Sequence, residues 1–140
     1  MPIFLSLVLI LFSPVRPVPT TGKVALSVDI ENIKLTKGAV HVALYKPCAD
    51  FPGCQPVEQK WLTVTDHSVK VTFQAEPGEY AIAVYHDQNS NGRMDTRLFG
   101  IPKEPYGFSN NFRPRFSAPK FSDCQFQVGS AGKAIRIKLD

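Results

Sequence analysis

From Val24 onward, apolar residues recur at every second position. Val24, Leu26, Val28 and Ile30 fall on one side of the chain, and Ala25, Ser27, Asp29 and Glu31 on the other. Successive side chains of an extended strand point to opposite faces, so this spacing predicts a half-buried β-strand. The pattern repeats after Lys37-Gly38, where Val40, Val42 and Leu44 alternate with Ala39, His41, Ala43 and Tyr45. Trp61-Leu62-Thr63-Val64 predicts a short strand. Val69, Val71 and Phe73 predict another, and Tyr80, Ile82, Val84 and His86 the strongest one. Two more lie near the end, over Cys124, Phe126 and Val128 and over Ile135, Ile137 and Leu139. No stretch carries a helical period of 3.6.

About seven short strands separated by turn residues are the pattern of an all-β, Greek-key β-sandwich. The Pro77-Gly78-Glu79-Tyr80 turn resembles the turn entering a central strand in transthyretin-like and carboxypeptidase-regulatory-like sandwiches. An immunoglobulin-like arrangement satisfies the same strand count. The interval from Asp87 to Phe121 breaks the rhythm. It lacks sustained alternation and is rich in Asn, Gly, Pro and Phe. A loop of this length within one domain needs something to order it, and such loops are often functional.

Ahead of the first strand, an uncharged apolar run extends from Ile3 to Phe12, broken only by Ser6, and a Pro-rich stretch comes after it. The run is short for a membrane span and suits the apolar core of an export signal. The expected organisation is a signal peptide and Pro-rich junction over 1–21, then a sandwich domain over 22–140 with its long loop at 87–121. The expected location is secreted or periplasmic, with no transmembrane span in the mature chain. Neither a preceding Lys or Arg nor a small-x-small cleavage site accompanies the run. No Cys stands near its end, which argues against a lipoprotein.

Composition refines this picture. Twelve Pro and nine Gly in 140 residues favour turns over long helices. The net charge of +4, or +3 once Arg16 leaves with a signal, is too small to argue for a nucleic-acid partner. The basic residues are nevertheless concentrated, with Arg93, Arg97, Lys103, Arg113, Arg115 and Lys120 accompanied only by Asp95 and Glu104. That segment is either a solvated basic face or a contact for an anion. In an oxidising compartment, Cys48 and Cys54 flank a turn-rich stretch and are expected to form a disulfide, leaving Cys124 as a buried thiol. No C-x-x-C pair supports a zinc site.

The chemistry-bearing motif is Asp87-Gln88-Asn89-Ser90-Asn91-Gly92-Arg93-Met94-Asp95. Oxygen-bearing side chains at alternate positions, followed by Gly, match the first part of an EF-type calcium loop. Asp87, Asn89, Asn91, the Arg93 carbonyl and Asp95 are the expected Ca²⁺ ligands. The position where such loops carry a bidentate Glu is Leu98, so Glu104 folding back is the way to complete the shell. Two carboxylates predict weak binding. The same residues also spell a turn, because Asn-Gly, Asp and Asn favour one.

With the residues C-terminal to it, this motif supports a wider resemblance. His86, Asp87, Asn89, Asn91, Gly92, Asp95 and Thr96 are joined to Gly100-Ile101-Pro102, Glu104, Tyr106-Gly107-Phe108-Ser109-Asn110. The combination resembles an uncharacterised bacterial family of secreted proteins, domain of unknown function 2141, over roughly Val24 to Leu139. Pro105 departs from the small residue common there, and the Cys48–Cys54 loop is a second departure. The resemblance implies a secreted β-sandwich and no particular activity.

Tyr106, Phe108 and Phe112, with Phe99 and Phe116, are either a ligand-stacking platform or a small core that packs the loop down. Ser109, His86 and Asp87 supply triad residue types, but no G-x-S-x-G elbow is present and an adjacent His-Asp pair suits that geometry poorly. His41, His67 and His86 are possible metal ligands, though His86 at a strand end suits packing and hydrogen bonding better. The expected function is therefore a non-catalytic envelope or extracellular binding module, calcium-ordered at the loop, with a protein or glycan partner. The alternatives are a metal-dependent enzyme using residues 86–104 and a carbohydrate-binding module using the loop aromatics.

Overall fold

A computed structural model describes residues 22–140. The expected export signal lies outside the described residues. The strands are β1 (Val24–Glu31), β2 (Ala39–Tyr45), β3 (Glu58–Thr63), β4 (Val69–Ala75), β5 (Gly78–Asp87), β6 (Tyr106–Phe108), β7 (Phe126–Val128) and β8 (Lys133–Lys138). One short α-helix, α1, spans Phe121–Cys124, and 3₁₀ turns lie at Leu98–Gly100 and Ser109–Asn111.

The strands form two sheets, ordered β4-β1-β8 and β3-β2-β5-β6, with β7 paired to the start of β5. Most pairs are antiparallel, whereas β1 and β8 run parallel, with Leu26 opposite Lys133 and Glu31 opposite Lys138. The sheets pack face to face through the residues singled out by alternation. Leu26, Val28 and Ile30 meet Val40, Val42, Leu44, Phe73, Ile82, Val84 and Ile137, all buried. Burying so many branched and aromatic side chains is the main stabilising term, at roughly 1.5–3 kcal/mol for each large one. The all-β sandwich is therefore the observed fold.

Three boundaries differ from the alternation pattern. β3 begins at Glu58, because its polar residues pair with β2 along a sheet edge, where half-exposed side chains are tolerated. Cys124 ends α1 instead of opening β7. The Asp123 carboxylate accepts the Lys120 backbone N–H at 2.8 Å and holds that turn. The eighth strand, β6, lies inside the long loop, where its three residues pair with Ala83–Tyr85.

A second buried cluster lies on the outer face of the five-stranded sheet. Ala43, Tyr45 and Ala81 from the sheet pack with Phe51, Phe108, Phe121 and Cys124. Cys48 and Cys54 form a disulfide, and Phe51 within that loop packs edge-on against Tyr45, Phe108 and Phe121. The long loop is thus ordered in part by its own aromatics, folded back over the sheet. Gly107 lets β6 approach β8, since a Cβ there would lie 2.8 Å from the Ile137 side chain and 2.9 Å from the Lys138 carbonyl oxygen.

Candidate functional site

Two features of the long loop bear on function: its polar first part and the cleft it builds over the sheet. In the polar part, Asp87 is buried at the end of β5. Its Oδ1 accepts the backbone N–H of Asn91 at 3.1 Å, and its Oδ2 accepts that of Gly92 at 2.8 Å. Asn89 Oδ1 also accepts the Asn91 N–H, and Asn91 Oδ1 accepts the Arg93 N–H. These are side-chain-to-backbone turns of the kind Asp and Asn favour. Asn89 and Asn91 then turn their Nδ2 groups onto the Asp95 carboxylate, at 2.7 and 2.9 Å. Those two donors hold the Asp95 carboxyl below its ordinary pKa. The Arg93 guanidinium lies 3.6 Å from the same carboxylate.

Glu104 does fold back. It is buried, with Oε1 accepting the Gln88 N–H at 3.0 Å and Oε2 the Asp95 N–H at 3.1 Å. All six residues expected as metal ligands therefore lie in one hydrogen-bonded loop, which its own amides and carboxylates close. Among the described residues, no group of three or more His, Cys, Asp or Glu side chains is placed to hold a metal ion.

His86 and Ser109 serve the same scaffold. His86 is buried and its Nε2 donates to the Lys37 carbonyl at 2.6 Å, while its backbone N–H donates to Pro105. Ser109 Oγ accepts the Ile82 N–H at 2.9 Å and donates to the Cys124 carbonyl at 2.5 Å. Burial, with the Asp123 charge beside it, pushes the Cys124 thiol up to about 12.

The second feature is a cleft of about 530 Å³ on the outer face of the five-stranded sheet. Its floor follows from the strand register. Trp61 faces His41, His41 faces Tyr85, and Tyr85 faces Tyr106, so four rings form one row across β3, β2, β5 and β6; His41, Tyr85 and Tyr106 line the cleft, and Trp61 continues the row beyond it. The His41 ring lies 4.5 Å from Trp61 and 5.0 Å from Tyr85. In the next row, Ala43 faces Ala83 and Ala83 faces Phe108. Two alanines beside a row of rings leave a trough, because a methyl group fills little of the height above the sheet. One wall is formed by Met94, Phe99, Ile101 and Pro102, and the other by Pro114 to Pro119. Burial keeps His41 below its ordinary pKa despite its hydrogen bond to Gln59. Burial first, then the nearby Asp87 and Glu104 charges, raises Tyr85 to about 12.

Of the expected stacking residues, Tyr106 and Phe108 line the cleft, and Phe108 is also part of the second core. Phe112 packs against that core and lines an adjoining hollow. Sequence reasoning offered His41 only as a possible metal ligand and missed Tyr85, together with Trp61 at the end of the ring row. The signal was present: β2 and most of β5 carry no charge on either face, and a strand apolar on both faces is normally covered on both.

The model of a family described as an uncharacterized protein conserved in bacteria (DUF2141) matches residues 28–136. No curated protein and no solved structure matches the chain.

Proposed function

The chain belongs to this family of uncharacterised bacterial proteins, and on that premise we propose that it is a non-catalytic binding module of the cell envelope or extracellular space. The observation that carries this reading is the row Trp61–His41–Tyr85–Tyr106 beside the Ala43–Ala83 trough. Natural sheets bury or charge such faces, and a walled aromatic trough is the usual form of a small-molecule site. The lining has few hydrogen-bonding groups, chiefly His41, Thr96, Arg115, Ser117 and the tyrosine hydroxyls. The ligand is therefore one with a flat apolar face, held mainly by ring contact. A glycan is the second reading, favoured by the ring row itself, because the CH face of a sugar stacks on aromatic rings.

The test is direct titration with a naphthalene-sulfonate dye, a long-chain fatty acid and soluble oligosaccharides. Tyr85→Ala should weaken whichever ligand binds about tenfold, equivalent to about 1.4 kcal/mol. Ala83→Leu should fill the trough and abolish binding. Binding unaffected by either substitution would remove the cleft from the proposal.

Export is part of the same reading, and rests on the apolar run from Ile3 to Phe12 and on the disulfide. N-terminal sequencing of the protein from its host should find a start between Ser13 and Gly22. An intact Met1 in the cytosol would contradict it. Weak Ca²⁺ binding at the Asp87–Asp95 loop also belongs to this reading. It is supported by the oxygen-bearing residue types at 87, 89, 91 and 95 and by the Asn89 and Asn91 side chains meeting the Asp95 carboxylate, with Glu104 on the Asp95 amide.

A further inference from the structure

Seven large apolar side chains stand exposed among the described residues, and four of them lie on or beside the two walls of the cleft: Phe99, Ile101 and Phe116 line it, and Leu98 adjoins Phe99, at 97, 56, 100 and 81% exposure respectively. Leu98, Phe99 and Ile101 form one compact tip. The Arg97 N–H donates to the Ile101 carbonyl at 2.7 Å, the Lys103 N–H donates to the Asp95 carbonyl at 2.8 Å, and Thr96 bridges Pro102. Phe99 itself has a φ of +62°, and Gly100 after it +72°. A left-handed conformation is costly for an aromatic residue, and stability alone would place Asn or Gly there. Strain of this kind points to function when the strained residue is also presented to solvent.

The surroundings of the tips identify the partner. Arg97 precedes Leu98, Lys103 lies just beyond Ile101, and Arg113 and Arg115 lead to Phe116. The two acids of the segment are occupied. Glu104 is buried on two amides, and Asp95 takes Asn89, Asn91 and Arg93. Arg113 pairs with Asp140, while Arg97, Lys103, Arg115 and Lys120 form no salt bridge among the described residues; Lys103 is near enough to Asp95 to favour its ionised form. Exposed apolar tips ringed by unpaired cations suit a surface that is apolar inside and anionic outside. A second copy suits them badly, because a symmetric contact would set these same cations against themselves.

We infer that the Leu98–Ile101 tip and Phe116 insert together into the surface of an anionic lipid bilayer, with Arg97, Lys103, Arg115 and Lys120 meeting the headgroups. The tips flank the cleft, so this docking turns its mouth toward the lipid. Insertion depends on the tips alone, whatever the cleft binds.

The experiment places a reporter at the tip, as Phe99→Trp in a Trp61→Phe background, in the full chain. Vesicles of phosphatidylcholine alone are compared with an equal mixture of phosphatidylcholine and phosphatidylglycerol. The expected result is a blue-shifted emission, quenched by brominated acyl chains, on the anionic vesicles only. The side chain of residue 99 is almost wholly in solvent, so the substitution leaves the core intact. A melt matching the Trp61→Phe parent confirms this. The reporter reads tip insertion itself, so binding through the Ile3–Phe12 run cannot mimic it. Arg97→Gln with Arg115→Gln should weaken binding about thirty-fold, equivalent to about 2 kcal/mol. Added salt should weaken it further. An unshifted spectrum on anionic vesicles overturns the inference, as does equal binding by the charge variant. A blue shift that appears without vesicles and grows with protein concentration also overturns it, by showing that a second copy covers the tips.

Discussion

Glu104 accepts the backbone N–H of Asp95 through one carboxylate oxygen and that of Gln88 through the other, so a single buried side chain ties both ends of the Asn-rich loop together. Removing it leaves two amides without partners. Glu104→Ala should therefore cost about 1–3 kcal/mol in denaturant unfolding, the range for a buried polar group left unsatisfied. Glu104→Gln keeps one carbonyl acceptor and should cost less. Equal losses for the two would show that charge, not hydrogen bonding, is what the loop needs.

Calcium affinity is read as the difference between melts in EDTA and in millimolar Ca²⁺. A ligand that binds only the folded state raises the melting temperature by mass action. With two loop carboxylates, the expected dissociation constant is near the ~10⁻⁴–10⁻³ M typical of extracellular modules. Asp95→Asn should abolish the response, and so should Asp87→Ala, which also lowers the EDTA melt because Asp87 holds the Asn91 and Gly92 amides. Arg93→Ala and Leu98→Ala should preserve it, since neither side chain is a metal ligand. Identical melts of the unaltered protein in the two buffers would mean that the loop's own hydrogen bonds suffice.

Ser109 and Gly107 test how the loop is held down on the sheet. Ser109→Ala strands the Ile82 N–H and the Cys124 carbonyl, at a cost of about 1–3 kcal/mol. Gly107→Ala drives a methyl into the Lys138 backbone and should cost a comparable 1–3 kcal/mol, as overpacking does. Hydrogen exchange at β6 and β8 should rise in both variants. Unchanged protection in both would detach the loop from the sandwich.

The cysteines make a further prediction. Cys124 should resist thiol reagents at neutral pH in the native protein and react only on unfolding, being buried with its pKa raised to about 12. The linkage has a definite sign. The folded state holds this proton more tightly than the unfolded chain does, so the contribution is complete below the ordinary thiol range and is lost as pH rises from about 9 toward 12. Cys124→Ala should flatten that part of the alkaline stability profile. Reducing Cys48–Cys54 should cost less than the roughly 3 kcal/mol of a fifteen-residue loop. Rapid labelling of Cys124 in the folded protein would contradict its placement in the second core.

His41 gives the acid counterpart. Its folded pKa is lowered by burial, so the folded state takes up a proton less readily than the unfolded chain. Stability should fall as pH drops below the ordinary histidine value of 6.5 toward the folded one. His41→Gln should remove that part of the decline. A profile identical with and without the histidine would show that it titrates freely.

The two sheets were legible because a strand places every second side chain on one face, and Leu26, Val28, Ile30, Val40, Val42, Ile82 and Val84 keep that spacing without exception. The loop's polar contacts were legible as residue types, since Asp and Asn at alternate positions turn back on their own backbone wherever they occur. Tyr106-Gly107-Phe108 was not legible as a strand. Three residues carry too little periodicity, and their pairing with Ala83–Tyr85 exists only once the loop lies on the sheet.

Local alternation thus determined the strands, the inner core and the place where the rhythm breaks, because these depend on the chain's immediate neighbours. Cross-strand register decided the rest. It put Trp61, His41, Tyr85 and Tyr106 in one row, although 45 positions separate the first from the last. It set two alanines beside them. No spacing along the chain encodes such meetings, because they arise from which strand lies beside which, and packing of the whole sandwich settles that.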